Sequence, residues 1–174
     1  MLTMWKKLTL SQGAGLLALA CVGMLVFGMY LQHVVGLEPC PMCIVQRYAL
    51  ILVAACALSA WVIGLKASKN SVPSTVQKIF ALLALLFAGG GAFVAARQSF
   101  LQWYPPEILA CGRDFYGMVE TFPLKRAIPM IFKGSGDCTK VDWTFLGGSI
   151  ANWSFVAFAA MAVVLLALLL RRSR

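Results

Sequence analysis

Glu38-Pro39-Cys40-Pro41-Met42-Cys43-Ile44-Val45-Gln46-Arg47 opens a nearly unbroken apolar run that ends only at Gly64. Proline is at home in the first turn of a helix, where its missing N–H costs nothing, so Pro41 predicts a helix that begins inside the Cys-x-x-Cys. A dithiol pair then stands at the mouth of a membrane-length helix. Unpaired N–H groups and the helix dipole at that end favour anions, which lowers thiol pKa and raises the reactive thiolate fraction. Arg47 follows Cys43 by four residues, hence on the same face and about one turn deeper. A charge on a membrane helix is costly enough to be read as functional, here as a cation facing the Cys43 sulfur and whatever binds beside it. Snorkelling to the interface is the competing reading. Metal sites and redox motifs share the Cys-x-x-Cys spacing, so its position has to carry the argument.

The 174 residues are 61% hydrophobic and only 12% charged, and the mean hydropathy is +0.84. That is too apolar for a soluble domain and suits one small membrane domain. Apolar runs at about residues 13–32, 44–64, 79–96 and 150–170 approach the roughly 20 residues that cross a hydrocarbon core. In lipid each must be helical, because only a helix satisfies its own backbone there. The expected architecture is an all-α, four-helix transmembrane bundle. Its exported loops are residues 33–43 and 97–149, and its cytoplasmic loop is residues 65–78. Residues 1–30 imitate a secretory signal with Ala18-Leu19-Ala20-Cys21 as a cleavage box, yet the apolar run continues through Tyr30 and reads as an uncleaved first helix.

Charge gives the orientation. Lys6, Lys7, Lys66, Lys69, Lys78, Arg171, Arg172 and Arg174 fall on one side with no acid, whereas Glu38, Glu107, Asp114, Glu120, Asp137 and Asp142 fall on the other. The basic side is expected to be cytoplasmic, with both termini inside. Topology signals and anionic lipid then account for much of the net charge of +9, and no nucleic-acid partner is implied.

Of six cysteines, Cys40, Cys43, Cys111 and Cys138 map to the exported side, where two disulfides can persist; Cys21 and Cys56 lie within helices and read as packing residues. Closing the 26-residue interval between Cys111 and Cys138 would stabilise by about 3 to 4 kcal/mol, so a structural staple is one reading of that pair. The segment 122–133, apolar and cationic with Pro123 and Pro129, reads as lying on the membrane surface. His33, the sole histidine, reads as a polar cap at a helix end. Gly89-Gly90-Gly91 reads as a close-packing stretch, or as room for a flat ligand.

Gln32-His33-Val34, Cys40-Pro41-Met42-Cys43-Ile44 with Arg47, Gln102-Trp103-Tyr104-Pro105, Cys111, Ser135-Gly136-Asp137-Cys138 and Trp143-Thr144-Phe145-Leu146-Gly147 together resemble the DsbB family. These are bacterial inner-membrane oxidases that recharge the periplasmic thiol oxidant DsbA, and the resemblance spans nearly the whole chain. It implies a quinone-dependent protein-disulfide oxidoreductase whose catalytic cysteines are Cys40, Cys43, Cys111 and Cys138. It also implies Cys40–Cys43 and Cys111–Cys138 disulfides, with Cys111 forming the mixed disulfide with DsbA and Cys138 then attacking Cys40. Cys43 and Arg47 would face the quinone, ubiquinone or menaquinone, with no metal or flavin. The partners implied are a DsbA-like oxidase, the membrane quinone pool and the bilayer. Some relatives carry histidine at the position of Gln98 and an acidic residue at that of Gln46, so neither residue is assigned a part in protonating quinone. The alternatives are an enzyme like vitamin K epoxide reductase, a four-cysteine metal-binding membrane protein, and a scaffold with two inert staples.

Overall fold

The computed structural model describes residues 9–67, 74–105, 136–139, 141 and 143–171. Four long helices dominate: α1 (Leu10–His33), α2 (Pro41–Ala67), α3 (Ser74–Trp103) and α5 (Ile150–Arg171). A single turn, α4 (Gly136–Thr139), and a two-stranded hairpin, β1 (Thr144–Phe145) with β2 (Gly148–Ser149), precede α5. All four long helices are long and apolar enough to cross a membrane. At 1.5 Å per residue the shortest, of 22 residues, reaches about 33 Å, against a hydrocarbon core of about 30 Å. The protein is an all-α, four-span membrane bundle.

The helices are apolar on every side, so side-chain size separates inside from outside. Ala14, Ala57, Ala60, Ala81, Ala84 and Ala88 are fully buried, whereas Leu16, Leu19, Leu86, Phe93 and Val163 are more than half exposed. Small residues let backbones approach, and the large ones face lipid. α2 packs chiefly on α1 and α3, and α3 on α5, around a core that includes Cys21, Val53, Phe158 and Leu165. Cys21 is buried there with its sulfur 3.5 Å from that of Met161, which is a packing role. Cys56, in α2, is partly buried against the same core.

Two polar side chains at one end of the bundle find backbone partners, which a medium without water favours. At the end away from Cys40, Gln77 Nε2 donates to the Ala60 carbonyl at 3.1 Å and Ser11 Oγ to that of Trp61 at 3.2 Å. Thr9 and Gln12 cap α1 reciprocally, each side chain accepting from the other's backbone N–H at 3.2 Å. At the dithiol end, Gly36, at φ +79°, turns the chain from α1 towards α2. Leu146 (φ 50°) and Gly147 (φ 78°) make the β1–β2 turn with both central residues left-handed, the type that suits a two-residue hairpin. Ser149 then caps α5 by accepting from the Asn152 N–H, and its hydroxyl donates to Gln102 Oε1 at 2.6 Å. The hairpin is thereby tied to α3.

α3 runs seven residues past Ala96, where the apolar run ends, because Gln98, Ser99 and Leu101 are buried against the neighbouring chain. Charge at Arg97 interrupts the hydropathy but not the helix; its guanidinium lies 5.6 Å over the Phe100 ring. In the glycine triplet only Gly91 is crowded: a Cβ there would strike the Phe158 ring, whereas Gly89 and Gly90 have open space. Within the triplet, Gly91 is the residue that lets helices pack closely. Gly91→Ala should therefore destabilise the bundle by about 1 to 3 kcal/mol, and Phe158→Leu in the same chain should restore part of it. Gly89→Ala should change stability by no more than about 0.5 kcal/mol, all read as thermal midpoints in detergent.

Candidate active site

Cys40 immediately precedes α2 and acts as its cap. Its carbonyl accepts the Ile44 N–H at 3.1 Å, and its sulfur accepts the Cys43 N–H at 3.4 Å. Pro41 follows as the first helical residue, which aims the Cys43 side chain back over the same helix end. The two sulfurs are 2.9 Å apart as thiols.

Cys138, on α4, is distant in sequence yet fully buried against this pair, in a cluster with Cys40, Met42, Val94 and Leu101. Its side chain is hydrogen-bonded to that of Cys40. Three of the four cysteines that the sequence reading set apart from Cys21 and Cys56 thus share one site. Cys111, the fourth, lies outside the described residues, as does the segment 122–133.

The expected lowering of thiol pKa at the helix end is not met at Cys40. The hydrogen bonds to Cys138 and then Cys43, with burial behind them, push its thiol well above the ordinary thiol range. A thiolate there would lose water and face neighbouring sulfurs, and these effects outweigh the partial positive charge of the helix end.

Gln98 of α3 completes the site, and sequence reading had assigned it no role. The residue is 3% exposed, and its Nε2 lies 3.2 Å from the Cys40 sulfur and 3.3 Å from that of Cys43. Buried Gln46 of α2 donates to its Oε1 at 2.7 Å. The available signal was a pair of amides near membrane-helix ends, where an uncharged polar residue needs a partner.

Cys43, Gln46, Arg47 and Leu50 share one face of α2 and line a cavity of about 290 Å³. α1 contributes Met24 and Phe27 to its walls, and α5 contributes Trp153, Phe158 and Met161. Trp143 stands at its edge, packed edge-on to Phe27 at 6.3 Å and stacked on Phe145 at 6.0 Å. A cleft of about 50 Å³ adjoins this cavity, sharing Glu38 and Cys43 with it and lined also by Cys40, Gln98 and Gln102. Cys43 borders both spaces.

Arg47 is placed differently from the reading that aimed it at sulfur. Among the described residues its hydrogen bonds run to α1, to Gln32 Oε1 and, at 3.1 Å, to the Gly28 carbonyl. It lines the same cavity as Cys43 while bracing α2 against α1. His33 is the exposed last residue of α1.

A family model described as "Disulfide bond formation protein DsbB" matches residues 11–168. The chain is 67% identical over 159 residues to disulfide bond formation protein B of Polaromonas naphthalenivorans, covering 91% of this chain and 90% of that one. It is 61% identical over all 174 residues to the protein of that name from Paracidovorax citrulli, covering 95% of the latter. It is also 52% identical over 152 residues to that of Aromatoleum aromaticum, covering 87% of each.

The chain belongs to the DsbB family.

A DsbB-family chain is a disulfide oxidoreductase, and the sulfur cluster at the mouth of α2 is a setting for that chemistry. Thiol exchange requires three sulfurs to approach one another, and Cys138, Cys40 and Cys43 lie together in one cluster. In the reduced protein, Cys40 should be alkylated slowly at neutral pH. Its rate should climb only above the ordinary thiol range, because an upward shift keeps the neutral form dominant to higher pH. Cys138→Ser removes the largest cause of that shift and should move the midpoint of Cys40 alkylation downward, as read by peptide mass spectrometry across pH.

Proposed function

We propose that this chain is the membrane thiol:quinone oxidoreductase that reoxidises a periplasmic DsbA-type dithiol oxidase and delivers two electrons to a membrane quinone. The observation that carries this reading is the double position of Cys43, whose sulfur adjoins both the cysteine cluster and an apolar cavity between helices. Membership of the family supports it, as does the basic end of the bundle. Lys66 closes α2 and Lys78 opens α3, both at the end away from the dithiol. With that end cytoplasmic, the site faces the periplasm of the bacterial inner membrane and both termini lie inside.

In the proposed relay a partner thiolate attacks Cys111 of a Cys111–Cys138 disulfide, forming a mixed disulfide and releasing Cys138 as thiolate. The partner's second thiolate resolves that mixed disulfide, which leaves the partner oxidised and Cys111 reduced. Cys138 attacks Cys40; the Cys40–Cys138 bond forms, the Cys40–Cys43 bond breaks, and the electron pair goes to Cys43. The hydrogen bond between Cys138 and Cys40 supports this choice of target.

The cavity residues fit a quinone, since flat apolar walls from Met24, Phe158 and Met161 meet polar groups from Gln46 and Arg47. Bound there, ubiquinone or menaquinone would supply a two-electron acceptor beside Cys43. Arg47, held to α1 through Gln32 and Gly28, keeps guanidinium charge at that wall. An arginine fork offers five donors, so two bonds to α1 leave others for a ligand oxygen.

Purified protein mixed with a reduced DsbA-like dithiol and a soluble quinone should consume thiol and quinone in parallel. Thiol loss without quinone loss would contradict the proposal. Arg47→Ala should lower quinone affinity or turnover about ten- to a hundredfold while leaving partner exchange largely intact. Arg47→Lys should recover only part, since lysine keeps the charge and loses the fork.

A further inference from the structure

Gln98 places one amide nitrogen against both sulfurs of the dithiol, at 3.2 Å from Cys40 and 3.3 Å from Cys43. A glutamine amide has two N–H donors on one end and an acceptor oxygen on the other. Gln46 Nε2 donates to Gln98 Oε1 at 2.7 Å, whereas the Cys43 sulfur lies 3.8 Å from that oxygen and 3.3 Å from the nitrogen, so Gln46 holds the nitrogen end towards the dithiol. Both glutamines are buried, from different helices, and a buried donor held on sulfur has no competing water.

We propose that Gln98 is a catalytic residue of the thiol exchange, its two N–H groups holding the negative charge that arrives on the dithiol, and that Gln46 is the positioning residue that keeps the amide turned that way. The inference rests on the proposed relay. When the Cys138 thiolate bonds to Cys40, the Cys40–Cys43 bond breaks and its electron pair moves to Cys43. The sulfur of a disulfide is a weak acceptor and a thiolate is a strong one, so the Gln98 contact strengthens as the bond opens. An interaction that grows along the reaction lowers the barrier, whereas one that is constant does not. The amide does not titrate, so its donors are available to a thiolate at every working pH.

A glutamine that merely fills space would be replaced well by methionine, which matches its length and lacks donors. The test uses full-length protein in detergent as wild type, Gln98→Met and Gln46→Met. The Cys40–Cys43 pair is equilibrated with glutathione buffers, and its thiolate ultraviolet absorbance is followed against pH, with thermal midpoints measured in parallel. Loss of charge-assisted N–H donors should make thiolate formation in the pair about ten- to a hundredfold less favourable in Gln98→Met. At pH values where the pair is ionised, its redox equilibrium should shift at least tenfold towards the disulfide, about 30 mV to more negative potential. Gln46→Met should shift both readouts the same way by a smaller factor. Unchanged thiolate formation and redox equilibrium in both variants, whatever their thermal midpoints, would overturn the proposal. If Gln98→Met does not fold, Gln46→Met decides alone by the same readouts. Neither readout uses the partner or quinone. Failure of wild-type protein to couple partner thiols to quinone would therefore refute the relay, while unshifted variants in a coupling-competent protein would refute the role of Gln98.

Discussion

Hydrocarbon offers no hydrogen bonds, so every backbone polar group within it must be satisfied by its own helix, and reactive polar chemistry is pushed to helix ends. Cys40 occupies such an end. Its carbonyl and its sulfur together satisfy the Ile44 and Cys43 N–H groups that open α2. The dithiol is therefore part of the helix start rather than an appendage on a loop. Its sulfurs inherit the rigidity of a 27-residue helix packed on α1 and α3. Moving the Cys40 sulfur would disturb the cap.

From that fixed point the remaining site residues extend in two directions, joined where Gln46 bonds Gln98. Cys138 and Gln98 approach the dithiol from α4 and α3. Gln46, Arg47 and Leu50 continue down α2 from Cys43 along the wall of the larger cavity. One helical face thus links a sulfur cluster to an apolar chamber over about two turns. The hairpin before α5 is tied back at both ends of its reach. Ser149 bonds Gln102 of α3, and the Trp153 Nε1–H of α5 donates to the Phe145 carbonyl at 2.9 Å.

Much of this frame was legible from residues alone, because span length and the position of Pro41 depend on local chemistry. Four apolar runs gave four helices, and the dithiol could be placed at the start of the second. Arg47 was read as a cation facing the Cys43 sulfur, but its direction depends on Gln32 and Gly28 across the bundle, which no local pattern encodes. Gln98 was passed over for the same reason. Hydropathy stopped at Arg97, whereas burial against the dithiol carries the helix on to Trp103. The thiol pKa argument failed at Cys40 because a helix-end dipole was weighed without Cys138, which is nearly 100 residues away in sequence and adjacent in space.

The central claim is that Cys40 is the sulfur at which Cys138 reacts. It is tested most directly in a full-length Cys43→Ser, Cys111→Ser chain, which keeps Cys40 and Cys138 as the only cysteines outside the bundle core. Mild oxidation followed by non-reducing peptide mass spectrometry should find them joined to each other in nearly all molecules. Cys40 and Cys138 remaining largely as separate thiols, or joined instead to Cys21 or Cys56, would contradict the account.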